Sequence, residues 1–569
     1  MSASQLPVSI PFATLTEALA AAPEVQPFVT MWLDQDDERT FSFGEFRRWS
    51  NSQAARFSSH GVGKGDTVIL IMPQGVALMA AFAGAMLLGA VPAILAYPTF
   101  KVEPAKYRFG LKGVSANLNA KLVVVDDLFP DEFLESVSLG HQSKLLRVSS
   151  VPPATQDVAA PPFHGHQDDL AFIQHSAGTT GLQKGVALSH GAVLRQLFHL
   201  GGRLKIQSSD RVYSWLPLYH DMGLIACFIL PMVYHLHLVM QSPTDWVMQP
   251  ESMLHLISRY KCTLSWVPNF TLQFLARRVK PQDREEYNLT SLRALINCSE
   301  PVRAESMKAF TSAFVSCGLQ PTTLQSSYAM AENVFAITQS EISREPRRIW
   351  IDVRKYHSER IAVTAEHDSD SAVCFVSSGK CLPKNEVRIV SEKGEAVPDG
   401  HVGEILIRSD SLLDGYYKRP DLTALSLRNG WYWSGDLGFL LEEELYVTGR
   451  KKDLIIVGGK NIYPQDLEEI ACGHPSIHDG RAVAFGWYNP DLGTEEIVIV
   501  AEMEDFATLA DSSAIERAVR TAIVEELAVA PRAIYLKPPR WIIKSTAGKP
   551  ARSATREKLL AEHPELRIS

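Results

Sequence analysis

Residues His175-Ser176-Ala177-Gly178-Thr179-Thr180-Gly181-Leu182-Gln183-Lys184-Gly185 follow directly on the apolar run 170–173. Clustered glycines let a backbone approach a ligand closely, hydroxyls and free amides bind phosphate oxygens, and a lysine adds positive charge. Thr179, Thr180, Gly181 and Lys184 therefore read as a phosphate-binding set. The register is not that of the nucleoside triphosphatase P-loop, since Gln183 stands at its second glycine and Gly185 replaces the Ser/Thr that would hold magnesium. A plain turn after a strand has the same composition, so the loop alone leaves both readings open.

Four further segments resolve the choice. They are Ser327-Tyr328-Ala329-Met330-Ala331-Glu332, Trp433-Ser434-Gly435-Asp436-Leu437-Gly438, Tyr446-Val447-Thr448-Gly449-Arg450-Lys451-Lys452-Asp453 and Ser545-Thr546-Ala547-Gly548-Lys549-Pro550. Singly, each has a bland reading as a core tyrosine, a turn, a solvated charge run or a surface lysine. With the loop, in this order, they resemble the signatures of the adenylate-forming superfamily of acyl-CoA synthetases, peptide-synthetase adenylation domains and luciferases.

The resemblance implies a residue-by-residue assignment. Tyr328 and Ala329 line the adenine, Glu332 with Thr180 holds Mg2+, and Asp436 accepts hydrogen bonds from the ribose hydroxyls. Arg450 contacts the nucleotide, Lys452 is a hinge, and Gly458 and Gly459 form a turn used after rotation. Lys549 enters the site to bridge the substrate carboxylate and the α-phosphate of ATP. A cation suits that position because an anion must approach an anion and charge builds on oxygen as pyrophosphate leaves. Two positions depart from the family, Ala329 for a usual glycine and Ala177 for a frequent serine.

Segments 215–224, 268–270, 300–303 and 438–446 resemble the fatty acyl-AMP ligases more closely. That likeness places Ser299 and Glu300 at the nucleotide and His220 at the acyl entrance, and implies transfer to the phosphopantetheine arm of an acyl carrier protein. His220 beside Asp221 also permits metal ligation, but no third ligand lies at a recognisable spacing. Trp246, Trp266, Phe270 and Phe274 with Leu264, Val267 and Leu272 could line an acyl tunnel or fill a core.

The polar stretch between Glu332 and residues 377–379 is similar to an insertion that restrains the C-terminal domain in such ligases. Its Arg344, Arg347, Arg348, Arg354, Lys355 and Arg360 could face an acidic carrier. An acyl-CoA ligase, or a homologue that binds nucleotide or lipid without catalysis, remains the alternative.

Apolar runs at 67–72, 121–125, 170–174, 211–216, 264–268 and 292–297 alternate with helix-like segments, which predicts an α/β fold. Expected is a large N-terminal domain, residues 1–450, of stacked mostly parallel sheets with helices plus a β-rich subdomain from about residue 385. A small mobile α+β C-terminal domain, residues 451–569, would carry the lysine. Residues 151–169 read as a connector.

At 569 residues the chain exceeds what one core usually supports. Its 46% hydrophobic and 21% charged residues exclude general disorder, and a net charge of -8 argues against a nucleic-acid partner held by phosphate contacts. Seven dispersed cysteines without a C-x-x-C pair, and no evident signal peptide, point to the reducing cytoplasm and no zinc site. The uncharged stretch 76–95 is Ala- and Gly-rich and broken by Gly89 and Pro92, so it predicts a buried helix and strand rather than a membrane span.

Overall fold

The computed structural model describes residues 10–34, 37–98, 104–149, 165–175, 184–367, 369, 372–457, 460–489, 494–504, 512–527, 529–545 and 549–563. A nine-stranded sheet forms the centre. Its six inner strands, Pro27–Asp34, His237–Met240, Arg211–Ser214, Leu264–Val267, Ala294–Asn297 and Leu324–Ala329, run parallel. Antiparallel strands close both edges. Strands such as Ala294–Asn297 are buried throughout, as expected where helices cover both faces of a parallel sheet.

A second, all-parallel sheet orders Val91–Ile94, Thr67–Ile71, Leu122–Asp126 and Lys144–Val148. The helix Val76–Leu87 feeds the strand Val91–Ile94, and its residues 76–86 are buried all round. The uncharged stretch is thus a core helix and strand, and no described helix is long and apolar enough to cross a membrane.

Leu170–His175 and Gly185–Ser189 pair antiparallel, with Gly415–Tyr416 added on the outer side. The phosphate-loop motif therefore joins two hairpin strands rather than a strand and a helix. The texture change near residue 385 marks a five-stranded antiparallel sheet built around Trp431–Leu441.

From Ile455 on, a separate apolar core forms around Ile462, Leu467, Ile499, Val519 and Ile523. It rests on the sheet Ile477–Asn489, Thr494–Met503, Ala533–Lys537 and the helices Pro464–Cys472 and Ser512–Leu527. Val353, from far earlier in the chain, packs against this core. It lies in the polar stretch after Glu332, which folds as a two-stranded ribbon, Arg348–Asp352 with Ala372–Val376, and the helix Val353–Glu359.

Candidate active site

The described backbone on either side of residues 546–548 is pinned. The Ser545 amide donates to the Lys549 carbonyl at 2.8 Å, and the Ala551 amide to Ile543 O at 2.8 Å. Three residues on, Arg552 is held by Glu468 at 2.6 Å and by Asp453, next to the expected hinge, at 2.9 Å. The Lys549 ammonium donates to the Ser299 carbonyl. Ser299 has φ +70°, a left-handed backbone that is uncommon for a residue with a side chain and clusters at functional sites.

The electrostatics define this part of the cleft. Burial pushes the Lys549 ammonium below its usual range, against the pull of Glu300. Asp221 is raised to about 6 by burial, with Lys549 acting in the opposite direction. His220 is lowered to about 3 by burial, then by Lys549, so it stands as a neutral imidazole. Asp221 caps the π-helix Met222–Ile229, accepting from the Met222 amide at 2.8 Å. Glu300 accepts from the Phe270 amide at 3.0 Å, at the N-terminus of the helix Asn269–Arg278.

Tyr328, Asp436 and Arg450 form one network. The buried Tyr328 hydroxyl donates to Asp436 Oδ2 at 2.7 Å, and Arg450 Nε lies 3.1 Å from Oδ1. The Asp436 carboxylate raises the Arg450 guanidinium further above its usual range. Two carboxylate oxygens offer about four lone-pair sites, so Asp436 keeps acceptor capacity for a ribose. Asp436 and Arg450 are paired across adjacent strands, which fixes their separation through the backbone.

Glu332 sits in the turn Ala331–Asn333. A hydrogen bond from the Phe335 amide to Asn333 O at 2.6 Å closes a γ-turn at Val334, whose φ of +61° is strained for a β-branched residue. Glu332 Oε1 accepts from the Tyr416 hydroxyl at 2.8 Å. Lys184 Nζ lies 4.7 Å above the Tyr416 ring. A polar cavity of about 440 Å³ opens beside Lys184, with Tyr432, Ser434, Glu404 and Lys451 among its walls.

The structure thus brings Lys549, Ser299, Glu300, His220 and Arg450 together, sets Tyr328 and Asp436 against Arg450, and links Glu332 to Lys184. Ala329 ends the strand that carries Tyr328. Lys452 is exposed in the 3-10 turn Lys451–Asp453. Thr179, Thr180, Gly181, Gly458 and Gly459 lie outside the described residues. Tyr416 and Tyr432 were not evident from the sequence, where Gly415-Tyr416-Tyr417 has no spacing that links it to Glu332. Asp221 was visible only as the neighbour of His220.

Among the described residues no group of three ligating side chains accompanies His220 and Asp221. Of the tunnel candidates, Trp246, Trp266, Leu264, Val267 and Leu272 are fully buried, while Phe270 and Phe274 are 38% and 37% exposed. Trp215 and Trp246 stack at 3.8 Å between ring centroids, and Phe270 meets Trp246 edge-on at 6.0 Å. Most of the set is core, and the two phenylalanines reach the surface.

The basic residues of the polar stretch after Glu332 are largely compensated within the chain. Arg344 pairs with Glu341, Arg347 with Glu442, Arg348 with Glu345 and Arg360 with Glu392, whereas Arg354 and Lys355 are exposed. An acidic carrier would meet a weaker field than the sequence count suggests.

The AMP-binding enzyme family profile matches residues 16–417. The long-chain-fatty-acid–AMP ligase FadD32 of Mycolicibacterium smegmatis is 28% identical, over 92% of this chain and 89% of its own. The medium-chain-fatty-acid–[acyl-carrier-protein] ligase JamA of Moorena producens is 29% identical over 88% and 86%. A solved chain from work on fatty acyl-adenylate ligases of E. coli and L. pneumophila superposes with a TM-score of 0.89 at 28% identity, covering 98% of this chain and all of that one.

Proposed function

The chain belongs to the AMP-binding enzyme family, and from that membership we propose that it activates a medium- or long-chain fatty acid with ATP and passes the acyl group to the phosphopantetheine thiol of an acyl carrier protein. It is a ligase of the fatty acyl-AMP kind. The observation that carries the mechanism is Lys549 on the Ser299 carbonyl, beside Asp221, Glu300 and Arg450.

A carboxylate oxygen of the fatty acid forms its bond to the α-phosphorus in line with the bond that breaks, and pyrophosphate leaves with the electron pair. Lys549 offsets the charge on the approaching carboxylate and the α-phosphate, and has no covalent role. Asp436 accepts from the ribose, Tyr328 and Ala329 border the adenine, and Thr179, Thr180, Gly181 and Lys184 hold phosphate oxygens. Ser299 and Glu300 line the nucleotide side of the cleft, Arg450 contacts the nucleotide, and neutral His220 shapes the acyl entrance.

Glu332 suits Mg2+ because Tyr416 engages only one of its oxygens among the described residues, and a hard cation on phosphate needs one or two carboxylates. Held by Glu332 and Thr180, that ion would neutralise phosphate charge. The body, 1–450, binds nucleotide and acid. The unit 451–569 turns about Lys452 after adenylation, withdrawing Lys549 so that the thiol reaches the mixed anhydride.

Hydroxamate trapping over a series of fatty acids, with CoA and a phosphopantetheinylated carrier as competing acceptors, tests both halves of the reading. Adenylation with any fatty acid and consumption by the carrier are expected. Consumption by CoA alone would replace the carrier by a soluble thiol, and no trapping with any acid would remove the activity.

A further inference from the structure

Residues 413–417 are stitched to two elements of the nucleotide site at once. Toward the strand that leaves the phosphate loop, Gly415 and Tyr416 pair with Ala187 and Val186. The Asp414 amide donates to Ala187 O at 3.0 Å, and the Tyr417 amide to Gly185 O at 2.7 Å. Toward the other element, the Leu413 amide donates to Glu332 O at 2.8 Å. The clasp therefore fixes the distance between the loop's exit strand and the turn that carries Glu332.

Tyr416 uses this placement. It is buried, 4% exposed, and its hydroxyl donates to Glu332 Oε1 at 2.8 Å while lying 3.0 Å from the Tyr432 hydroxyl. A phenol has one proton, so Tyr432 donates to Tyr416 and Tyr416 donates to Glu332. The face of the Tyr416 ring lies 4.7 Å from Lys184 Nζ, within cation–π range.

We infer that Tyr416 is a positioning residue for nucleotide activation, orienting the Glu332 carboxylate through its hydroxyl and the Lys184 ammonium through its ring. The inference deepens the proposed function and rests on it, because Glu332 must serve the metal–phosphate end of the nucleotide. A purely structural tyrosine would fill the same space and have no influence on magnesium.

Acid-dependent pyrophosphate–ATP exchange, titrated with magnesium, tests this. Tyr416→Phe keeps the ring and removes the hydroxyl. It should lower kcat and raise the magnesium needed for half-maximal rate by about tenfold each, the scale of one hydrogen bond to a charged group. KM for the fatty acid should stay at the wild-type value, and the thermal midpoint should fall only by the amount expected for one lost buried hydrogen bond. Tyr416→Leu should add a rise in KM for ATP through Lys184. If Tyr416→Phe folds poorly, Tyr432→Phe, which removes only the donor to Tyr416, should move the magnesium dependence in the same direction by a smaller factor.

Glu332→Gln separates the two levels of the argument. A strong defect in Glu332→Gln with wild-type magnesium dependence in Tyr416→Phe overturns the role of Tyr416 and leaves Glu332 standing. Wild-type behaviour of Glu332→Gln overturns both. Non-additivity in the double variant supports the coupling.

Discussion

Tyr356, in the insertion, stacks on Tyr463, eleven residues beyond the expected hinge Lys452, with ring centroids 5.3 Å apart and planes at 28°. Tyr356 also meets Phe375 at 5.3 Å, and Phe375 meets Phe439 at 5.8 Å. An aromatic column thus runs from the β-rich part of the body through the insertion to the C-terminal unit. Breaking it exposes buried aromatic surface, so it would oppose the rotation proposed for that unit.

Tyr356→Ala should loosen this contact at a cost of about 3 kcal/mol, the scale of truncating a buried aromatic. Proteolytic cleavage between residues 451 and 463 should accelerate, and CoA should consume acyl-AMP faster. Pyrophosphate exchange should change less than CoA use, since the hydrogen bonds of Tyr328, Asp436 and Arg450 do not run through the column. Unchanged cleavage and unchanged CoA use would leave the column as packing alone.

Lys549→Ala should slow acyl-AMP formation by about 10²–10³-fold, the usual scale for removing one preorganised group that stabilises developing charge. Transfer of the acyl group from supplied acyl-AMP should be spared. The half-reactions are read separately, by exchange and by carrier acylation, and equal loss of both would contradict the assignment.

The pH profile of adenylation should carry two signatures. Burial lowers the Lys549 ammonium, so the alkaline fall should begin below the ordinary lysine range, and Lys549→Arg should move it upward. Asp221 is held up to about 6 by burial; below that pH it is neutral and no longer attracts Lys549. An acid limb near 6 is expected, and Asp221→Asn should abolish it. An acid limb that persists in Asp221→Asn must come from another group.

His190 accepts a hydrogen bond on Nδ1 from the Leu15 amide at 3.2 Å, and burial lowers it to about 4. Its folded value lies below the unfolded value near 6.5, so its contribution is complete above about pH 6.5. It declines as pH falls toward 4, by up to about 3 kcal/mol. His190→Gln, which keeps an acceptor without a titrating ring, should flatten the thermal midpoint across that window. A slope equal to the wild type would assign the acid loss elsewhere.

Arg303 ion-pairs with Glu469 and reaches Gln465 O at 3.4 Å, joining the loop of Ser299 and Glu300 to the C-terminal helix Pro464–Cys472. Both partners are part-exposed, and such pairs are worth about 0–1 kcal/mol. Arg303→Ala should therefore slow adenylation by no more than about fivefold, and Arg303→Glu with Glu469→Arg should recover part of the loss. A double variant worse than either single one would assign Arg303 a role outside the pair.

The six apolar runs read as strands are strands, ending within three residues of the expected bounds, because a buried strand is written in consecutive apolar residues. The helix and strand inside 76–95 were legible for the same reason. The antiparallel course of the strands around the phosphate-loop motif was not, since both strand directions use the same apolar run. Two ion pairs that leave the polar stretch after Glu332 were equally hidden, because Arg347 meets Glu442 and Arg360 meets Glu392 only across folded distance.

By itself the sequence determined the family, and it singled out Lys549, Asp436, Arg450, Tyr328 and Glu332 as the side chains proposed to carry the chemistry. Those identities are local and read directly from residue type and neighbours. Tertiary structure alone decided that Lys549 rests on Ser299, 250 positions away, and that Tyr416 joins Glu332 to Lys184. It also decided that five of the tunnel candidates are core and two reach the surface. Sequence spacing carries no information about contacts between residues hundreds of positions apart; those are set when buried surfaces and hydrogen bonds are satisfied together in one packing.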